Sequence, residues 1–370
     1  MAKELRILLT GGGTGGHMYP LIAVAQRLAG YRLRFFGDPG IYRDILKGAG
    51  VEISFIVSSK LRRYFSLANF LDILKFGLGL IQSLWKIYWF MPDVAFSKGG
   101  PGSLPVMLAC RFYFIPVVIH ESDAVPGLTN KISGQFARKV FLAFSAAQTQ
   151  FTTKAEVITV GQPTRDDILK QKTADEAKKS FAFNPARPVV LVLGGSQGSS
   201  ALNEFVLANI NALLGRFQVL HQVGYQNYGE YKKEWEFISK DFSPLLKSSY
   251  EFVPYFDQNL SDAYDAADIV VSRAGAGAIF ECSAKGKPMI LIPFPNSANG
   301  HQEANSFEAQ KAGLAVVVEQ QNLLPNLFLS VIDGLLADGQ KLRTMSAAAR
   351  AFYKADAAKQ IAEGVISLIA

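Results

Sequence analysis

Residues 5–20 read Leu-Arg-Ile-Leu-Leu-Thr-Gly-Gly-Gly-Thr-Gly-Gly-His-Met-Tyr-Pro, which is the most informative stretch of the chain. An apolar run of strand character meets five glycines in six positions, then His17, and an amphipathic helical pattern begins at Leu21. Glycine alone accepts both a positive φ and the close approach of a ligand to the backbone. A glycine turn between a strand and a helix presents amide N–H groups at the positive end of the helix dipole. The stretch therefore predicts a site for an anion such as phosphate, with an unusual histidine beside it.

Length and composition predict a globular protein of about two domains. The chain has 370 residues, of which 49% are hydrophobic and 19% charged. Its two cysteines, Cys110 and Cys282, lie in apolar helical patterns without the spacing of metal ligands, which favours a reduced, cytosolic compartment. The first residues lack the pattern of a signal peptide, so we expect none.

The basic residues are concentrated in the first half of the chain. Residues 1–164 contain 18 Lys and Arg against 9 Asp and Glu, a formal charge of +9, whereas the remainder has 20 against 22, a charge of −2. This asymmetry suggests that the first half meets a polyanion or an anionic membrane surface. Because the sequence has no nucleic-acid-binding motif, we expect no nucleic-acid partner.

Strands alternate with helices, and the alternating pattern occurs twice. The further predicted strands are Tyr31–Gly37, Val51–Val57, Val94–Ser97, Pro116–His120, Lys139–Ala143 and Glu156–Val160, then Pro188–Leu193, Val219–Val223, Tyr250–Val253, Ile269–Ser272 and Met289–Pro293. Several are continuously apolar, as in parallel sheets covered by helices on both faces. We therefore predict an α/β fold of two doubly wound, Rossmann-like parallel sheets, with domains at residues 1–164 and 165–349.

An apolar, aromatic segment at residues 60–91 predicts contact with a membrane surface. Asp72, Lys75, Gln82 and Lys86 interrupt it too often for a transmembrane helix. Aromatic side chains with flanking cations are typical of a protein that sits at the headgroup level. The residues concerned are Phe70, Phe76, Trp85, Tyr88, Trp89 and Phe90, with Lys60, Arg62, Arg63, Lys75 and Lys86. A helix of the domain core remains the alternative.

Four glycine-rich strand ends are expected at the ligand-binding edges of the two sheets. Two belong to the first half, at residues 11–16 and 98–103, and two to the second, at residues 194–198 and 272–277. The last opens a helix whose first turn has no acidic residue, which suits a diphosphate, and Glu281 follows one turn in, where a carboxylate can hold two ribose hydroxyls. The alternative for Glu281 is a charge that complements the helix dipole.

The first loop also fits the dinucleotide fingerprint, with Gly11, Gly13 and Gly16 in the three glycine positions and Asp38 after the second strand. Alone this signal is weak. The additional glycines, the histidine and the second set of loops all argue against a dehydrogenase, which needs a single nucleotide-binding half of this kind.

Seven motifs occur in one order along the chain. They are Gly11-Gly12-Gly13-Thr14-Gly15-Gly16-His17-Met18-Tyr19-Pro20, His120-Glu121, Pro126-Gly127-Leu128-Thr129-Asn130-Lys131, Gly161-Gln162-Pro163-Thr164-Arg165, Gly194-Gly195-Ser196-Gln197-Gly198, Ser272-Arg273-Ala274-Gly275-Ala276 with Glu281, and Gln302-x-x-Asn305. Together they resemble the MurG family of N-acetylglucosaminyltransferases, and the resemblance covers nearly the full chain.

The resemblance implies a GT-B architecture, in which two Rossmann-like domains face a cleft and a C-terminal helix, here about residues 350–370, crosses back to the first domain. It implies transfer of N-acetylglucosamine from UDP-N-acetylglucosamine to the C4 hydroxyl of the muramoyl-pentapeptide on undecaprenyl diphosphate (lipid I). The anomeric centre inverts and lipid II forms for peptidoglycan synthesis. Such an enzyme would act without a cofactor, as a peripheral protein on the cytoplasmic face of the bacterial cell membrane.

The resemblance also assigns roles to individual residues. His17 is the candidate base for the acceptor hydroxyl, because histidine titrates near neutral pH, and Glu121 competes for that role. A histidine that merely bonds to its own loop is the alternative for His17. The implied substrate-binding residues are Thr14, Gly15 and Gly16 for the sugar diphosphate, Arg165 and Ser196 for the nucleotide, Phe256 near uracil, Ala276, Gly277 and Ala278 for the phosphates, Glu281 for the ribose and Gln302 for the donor sugar, together with Asp123 and Asn130.

Some positions depart from the family pattern. Ser122-Asp123 replaces the usual Gln-Asn, and Ala278 stands where threonine is usual, so a phosphate contact there must come from the backbone. Gln162 replaces an asparagine and Pro101 an aromatic residue. The chain has no Asp-x-Asp pair and no His/Cys cluster, so we expect helix ends and amides, rather than a metal, to meet the diphosphate charge. Another enzyme of the same fold that uses UDP-N-acetylglucosamine, such as an epimerase or a lipid A-type synthase, and a non-catalytic membrane scaffold remain alternatives.

Overall fold

A computed structural model describes residues 5–58, 68–195 and 197–369. The chain divides into two compact units. Unit 1 comprises Met1–Arg165 and Lys354–Ala370, and unit 2 comprises Asp166–Tyr353. The predicted contributions of Lys60, Arg62, Arg63 and Ser196 lie outside the described residues.

Unit 1 contains a parallel sheet of seven strands. The strands are β1 (Arg6–Thr10), β2 (Arg32–Phe36), β3 (Val51–Ser54), β4 (Val94–Ser97), β5 (Val117–Glu121), β6 (Lys139–Leu142) and β7 (Glu156–Thr159). The helices are α1 (Gly15–Arg27), α2 (Arg43–Gly48), α3 (Ala68–Phe90), α4 (Leu104–Phe112), α5 (Leu128–Gly134) and, from the end of the chain, α16 (Ala357–Ile366). The strand order is β3-β2-β1-β4-β5-β6-β7.

Helices cover both faces of this sheet. Successive residues of β1 point to opposite faces, so Ile7 and Leu9 pack in the core with α1 and α16, whereas Leu8 packs in the core with α3 and α4. A strand buried on both faces must be apolar throughout, which explains the unbroken apolar run in the sequence. The predicted strand Val51–Val57 ends earlier, at Ser54, and the N–H of Val57 instead donates to the side chain of Gln82.

Unit 2 contains a parallel sheet of six strands. The strands are β8 (Val189–Leu193), β9 (Gln218–Gln222), β10 (Tyr250–Val253), β11 (Ile269–Ser272), β12 (Met289–Leu291) and β13 (Ala315–Val317). The helices are α6 (Ala174–Ser180), α7 (Ser200–Ala208), α8 (Ile210–Leu214), α9 (Tyr228–Ile238), α10 (Pro244–Lys247), α11 (Leu260–Ala266), α12 (Ala276–Ala284), α13 (His301–Lys311), α14 (Pro325–Ala337) and α15 (Gly339–Phe352). The strand order is β10-β9-β8-β11-β12-β13.

Both sheets reverse their strand order at one point, between β1 and β4 in unit 1 and between β8 and β11 in unit 2. Ligands of doubly wound folds bind at this switch point, outside the carboxyl ends of the strands. The glycine-rich loops follow these four strands. The predicted fold class, α/β with two Rossmann-like doubly wound sheets, is confirmed.

Candidate functional site

In unit 1, the loop after β1 leads directly into α1. Thr14 is the N-cap residue, and its carbonyl accepts the N–H groups of His17 and Met18 at 3.0 and 2.9 Å. The hydroxyl of Thr14 lies 2.9 Å from Nδ1 of His17. The amides of Gly15 and Gly16 precede these bonds and have no carbonyl partner within the helix, so this end of α1 suits an anion. The imidazole is oriented by its own loop, as the alternative reading of His17 expected, and it is half-buried.

The loop after β4 packs against the loop after β1. The N–H of Gly12 donates to the carbonyl of Gly99 at 2.8 Å. Gly100 has φ +92°, and a Cβ built on it would lie 2.9 Å from the backbone of Gly12 and 3.5 Å from Nε2 of His17. A Cβ on Gly12 would in turn lie 3.0 Å from Nδ1 of His17. The two loops and the imidazole are therefore in contact, and the glycines make that approach possible.

Glu121, the other candidate base, lies at the end of β5 and is only 4% exposed. Its Oε1 accepts the N–H of Asp123 at 3.0 Å, and its Oε2 accepts the N–H of Gly127 at 3.0 Å and Nδ2 of Asn130 at 2.9 Å. Burial, and secondly the charge of Asp123, raise the pKa of the Glu121 carboxyl. Both carboxylate oxygens thus hold the segment that follows β5. Asn130 shares this role, because its Nδ2 also donates to the carbonyl of His120 at 3.2 Å.

Arg165 lies on the α1 side of unit 1. Its guanidinium carbon is 4.3 Å from the centroid of the Tyr19 ring, which packs edge-on against Tyr42 at 5.2 Å. A Cβ on Gly15 would lie 2.9 Å from the Tyr42 hydroxyl. Burial raises the pKa of Tyr42, so its hydroxyl is protonated and can donate. Arg165 therefore places a cation beside the first turns of α1.

In unit 2, the loop after β8 is packed tightly against the end of β9. Gly198 has φ +81°, and a Cβ on it would lie 2.3 Å from the carbonyl of Val223. The next residue, Ser199, caps α7 and accepts Nη2 and Nε of Arg273 at 2.7 and 3.1 Å. Arg273 belongs to the loop after β11 and also donates to Gln320 at 2.7 Å. It therefore braces the two loops, a role that its position in the motif did not reveal.

Helix α12 begins beside these loops and presents its first amides at the switch point. Gly275 is its N-cap residue, and among the described residues no atom lies within 4 Å of a Cβ built on Gly275 or Gly277. The amides of Ala276, Gly277 and Ala278 occupy this first turn, which has no acidic residue. The open space and the positive helix end together suit a phosphate group.

Glu281 lies in the second turn of α12. Its Oε2 accepts the hydroxyl of Tyr264 at 3.0 Å, and Tyr264 is fully buried on α11. Burial raises the pKa of Tyr264 well above its usual value, so the hydroxyl keeps its proton and donates. The tyrosine thereby orients the carboxylate, a contact between two helices that the sequence did not indicate.

The remaining candidates belong to a loop and a helix of unit 2. Phe256 is fully buried, and its N–H donates to Oε1 of Gln222 at 3.0 Å. Gln302 lies in the first turn of α13, where its Oε1 accepts the N–H of Phe294 at 2.9 Å. Asn305, also of the Gln302 motif, is buried, and its Nδ2 donates to the carbonyl of Ala274 at 3.1 Å, which supports the loop after β11. Within the part of the chain that the structure describes, no group of three or more His, Cys, Asp or Glu is arranged to hold a metal ion.

Known protein families and relatives match nearly the whole chain. Residues 7–142 match the glycosyltransferase family 28 N-terminal domain, and residues 189–361 match the glycosyltransferase family 28 C-terminal domain. A protein of Halothermothrix orenii is 34% identical over 95% of both chains, and one of Moorella thermoacetica is 33% identical over 99% of both. Both are named UDP-N-acetylglucosamine–N-acetylmuramyl-(pentapeptide) pyrophosphoryl-undecaprenol N-acetylglucosamine transferase.

Among solved structures, the crystal structure of MurG from Acinetobacter baumannii superposes with a TM-score of 0.74. It covers 98% of this chain and 99% of that one at 24% identity. This similarity shows the shared fold, the GT-B fold of two Rossmann-like units.

Proposed function

The chain belongs to the MurG family within glycosyltransferase family 28, and from that membership we propose that it transfers N-acetylglucosamine from UDP-N-acetylglucosamine to lipid I. The product is lipid II, in which the new β-1,4 bond joins the sugar to the muramoyl C4 oxygen. The observation that carries the proposal is the contact of His17 with both glycine loops of unit 1. A histidine held beside an anion site can accept the proton of the acceptor hydroxyl.

Unit 2 is proposed to bind the donor nucleotide. The amides of Ala276, Gly277 and Ala278 would donate to the diphosphate, which leaves as UDP. Glu281, oriented by Tyr264, would accept the ribose hydroxyls. Ser196, Phe256 and Gln302 are proposed to make the donor contacts that the family resemblance implies.

His17 is proposed as the base of an inverting displacement. The acceptor C4 oxygen attacks the anomeric carbon from the face opposite the diphosphate, the C–O bond to the diphosphate breaks, and the imidazole takes the hydroxyl proton. The contact of Nδ1 with the Thr14 hydroxyl fixes the ring, and Nε2 faces the second glycine loop. Thr14, Gly15 and Gly16 would approach the sugar diphosphate, with the Arg165 cation beside them.

Glu121 is assigned a supporting role. A base must reach the substrate proton, but the Glu121 carboxyl is buried and three N–H groups from residues 123–130 occupy three of its four lone-pair sites. We therefore choose His17 over Glu121 as the base and place Glu121, with Asn130, in the framework of the acceptor side. The contact of Asp123 with the donor remains a proposal from the family resemblance.

Binding of UDP tests the donor side of this proposal. UDP at about 100 times its dissociation constant should stabilise the folded protein by about 2.7 kcal/mol, seen as a higher melting temperature. Glu281→Ala should weaken UDP binding by about 10- to 100-fold, because two charge-assisted hydrogen bonds are lost. Glu234→Ala, on exposed α9, is the matched control and should bind UDP normally. A wild-type protein that UDP does not stabilise would favour the non-catalytic scaffold.

Transfer is proposed to need no metal ion. Helix-end amides are preorganised donors that can stabilise the leaving diphosphate without a cation. Activity in EDTA should therefore equal activity in magnesium within about twofold, since the charge is met by the protein itself. Loss of transfer in EDTA, with recovery on adding Mg²⁺, would contradict this.

Helix α3 is proposed to rest on the cytoplasmic surface of an anionic membrane. One face of the helix contributes Ile87 and Phe90 to the core, as the alternative of a core helix expects, so the prediction that Phe90 contacts the membrane is wrong. The other face is apolar and exposed, with Leu74, Leu78, Ile81, Trp85, Tyr88 and Trp89 at 50–68% exposure. No helix in the described ranges has the length and apolar character needed to cross a membrane.

Replacing Trp85 and Trp89 together by serine should weaken binding to vesicles that contain anionic lipid by about tenfold or more, because apolar area no longer enters the interface. Sedimentation with the vesicles measures this. Phe237→Ser is the matched control, since Phe237 is 71% exposed on unit 2 and should not matter. Equal loss in both variants, or loss in neither, would contradict the assignment of α3.

A further inference from the structure

Lys98 is the first residue of the second glycine loop of unit 1, and it lies buried against the first glycine loop. It directly follows β4 and is 1% exposed. Its Nζ donates to the hydroxyl of Ser122, which donates to Oε1 of Gln162 at 3.1 Å. A Cβ on Gly11 would lie 3.3 Å from Cβ of Lys98 and 3.9 Å from Cβ of His17. Lys98, in the loop after β4, therefore contacts two other strand ends. It lies against Gly11 after β1, and it donates to Ser122 after β5.

A buried ammonium group is costly unless opposite charge offsets it. Burial lowers the pKa of Lys98 to about 8, and the charges of Glu121 and Asp123 act in the opposite direction. Lys98 in turn lowers the pKa of Glu121, which burial and Asp123 raise. The neighbouring His120 is held neutral by burial and by Lys98, so it adds no positive charge. Lys98 thus supplies positive charge that offsets the two carboxylates.

Contacts connect this charge balance to His17. Glu121 accepts Nδ2 of Asn130, and a Cβ on Gly99 would lie 2.7 Å from that same nitrogen. Gly99 accepts the N–H of Gly12, which packs on the His17 ring. Without the ammonium charge, Glu121 and Asp123 would repel each other, and the segment that carries Asn130 would move away from the glycine loops.

We propose that Lys98 is a positioning residue for the acceptor side of the reaction: its buried charge, balanced against Glu121 and Asp123, holds the three strand-end loops where His17 needs them. This role presupposes the proposed function. Lys98 acts through its neighbours and does not itself take the proton. This charge balance also gives a reason for an acidic residue at position 123, where a charge would otherwise oppose the diphosphate.

Removing the charges singly and together tests this role. Lys98→Met should lower kcat/KM for a lipid I analogue by about tenfold or more, and it should raise the KM for that analogue. The KM for UDP-N-acetylglucosamine should change by less than about twofold. Asp123→Asn alone should not raise kcat/KM, but when added to Lys98→Met it should restore kcat/KM by about threefold or more, because it then removes the unbalanced charge.

Lys178→Met is the matched control for the loss of a buried lysine. Lys178 is 5% exposed in unit 2, and its Nζ pairs with Asp268 at 3.0 Å. This variant should lower the melting temperature and leave the KM of the acceptor unchanged. If Lys178→Met raises the KM for the acceptor as much as Lys98→Met does, loss of any buried lysine has this effect, and the positioning role is overturned.

The melting temperatures of the single and double variants give a second readout if Lys98→Met folds poorly. The double variant should melt several degrees above Lys98→Met, at about 2–4 °C for each kcal/mol recovered. Additive losses in both stability and kcat/KM would overturn the charge balance. If the wild-type protein transfers no sugar, the proposed function is wrong. The melting temperatures of the variants then still measure whether Lys98 and Asp123 interact.

Discussion

Replacing His17 by alanine should lower the rate of sugar transfer by about 10²- to 10⁴-fold, the usual contribution of a positioned general base. The imidazole contacts the Thr14 hydroxyl at 2.9 Å and packs against both glycine loops of unit 1, so it is held in one orientation beside the anion site. Without it, the acceptor hydroxyl must lose its proton to water. Initial rates at saturating donor and acceptor measure the loss.

Binding and stability separate this effect from a structural one. UDP affinity and melting temperature should be nearly unchanged in His17→Ala, because the ring is half-buried and lies in unit 1. Glu121→Gln should instead lower the melting temperature, since a buried carboxylate that accepts three N–H groups loses acceptor strength. If Glu121→Gln abolishes transfer in a stable protein while His17→Ala stays active, Glu121 is the base.

Replacing Gly100 by alanine should destabilise unit 1 by about 3 kcal/mol and abolish detectable transfer. The backbone at Gly100 has φ +92° and ψ +154°, a conformation that is essentially restricted to glycine. The new Cβ would also lie 2.9 Å from the backbone of Gly12, so the two loops must separate. Unit 1 should melt about 6–12 °C lower in calorimetry.

Gly48→Ala is the matched control for this change. Gly48 ends α2, and among the described residues no atom lies within 4 Å of a Cβ built there. Alanine is favoured over glycine in a helix by about 1 kcal/mol, so stability should be equal or higher, with transfer unchanged. A Gly100→Ala protein with normal stability and activity would show that the close packing of the two loops is not required.

The regular elements were predictable from the sequence because each follows from local rules. The apolar run before Gly11 must be a strand buried on both faces, and the glycines that follow it can only be a turn before α1. The same reasoning located the loops after β4, β8 and β11. Alternation of strands and helices then fixed two parallel sheets, as observed.

The supporting contacts were not predictable because they join residues that are distant in the sequence. Lys98 reads as a loop lysine, yet its partner Ser122 is 24 residues away on another strand end. Tyr264 and Glu281 lie on different helices, and only packing brings the hydroxyl to the carboxylate. The sequence favoured His17 over Glu121 only by residue type, and it could not show that Glu121 is buried and accepts three N–H groups.

The most direct test is transfer of labelled N-acetylglucosamine from UDP-N-acetylglucosamine to a lipid I analogue, with wild type and His17→Ala side by side. The expected result is a β-1,4-linked disaccharide on the lipid, formed only when donor and acceptor are both present and reduced by at least about 100-fold in the variant. Wild-type protein that binds UDP but forms no such product, or a variant that forms it at the wild-type rate, would contradict the proposed mechanism.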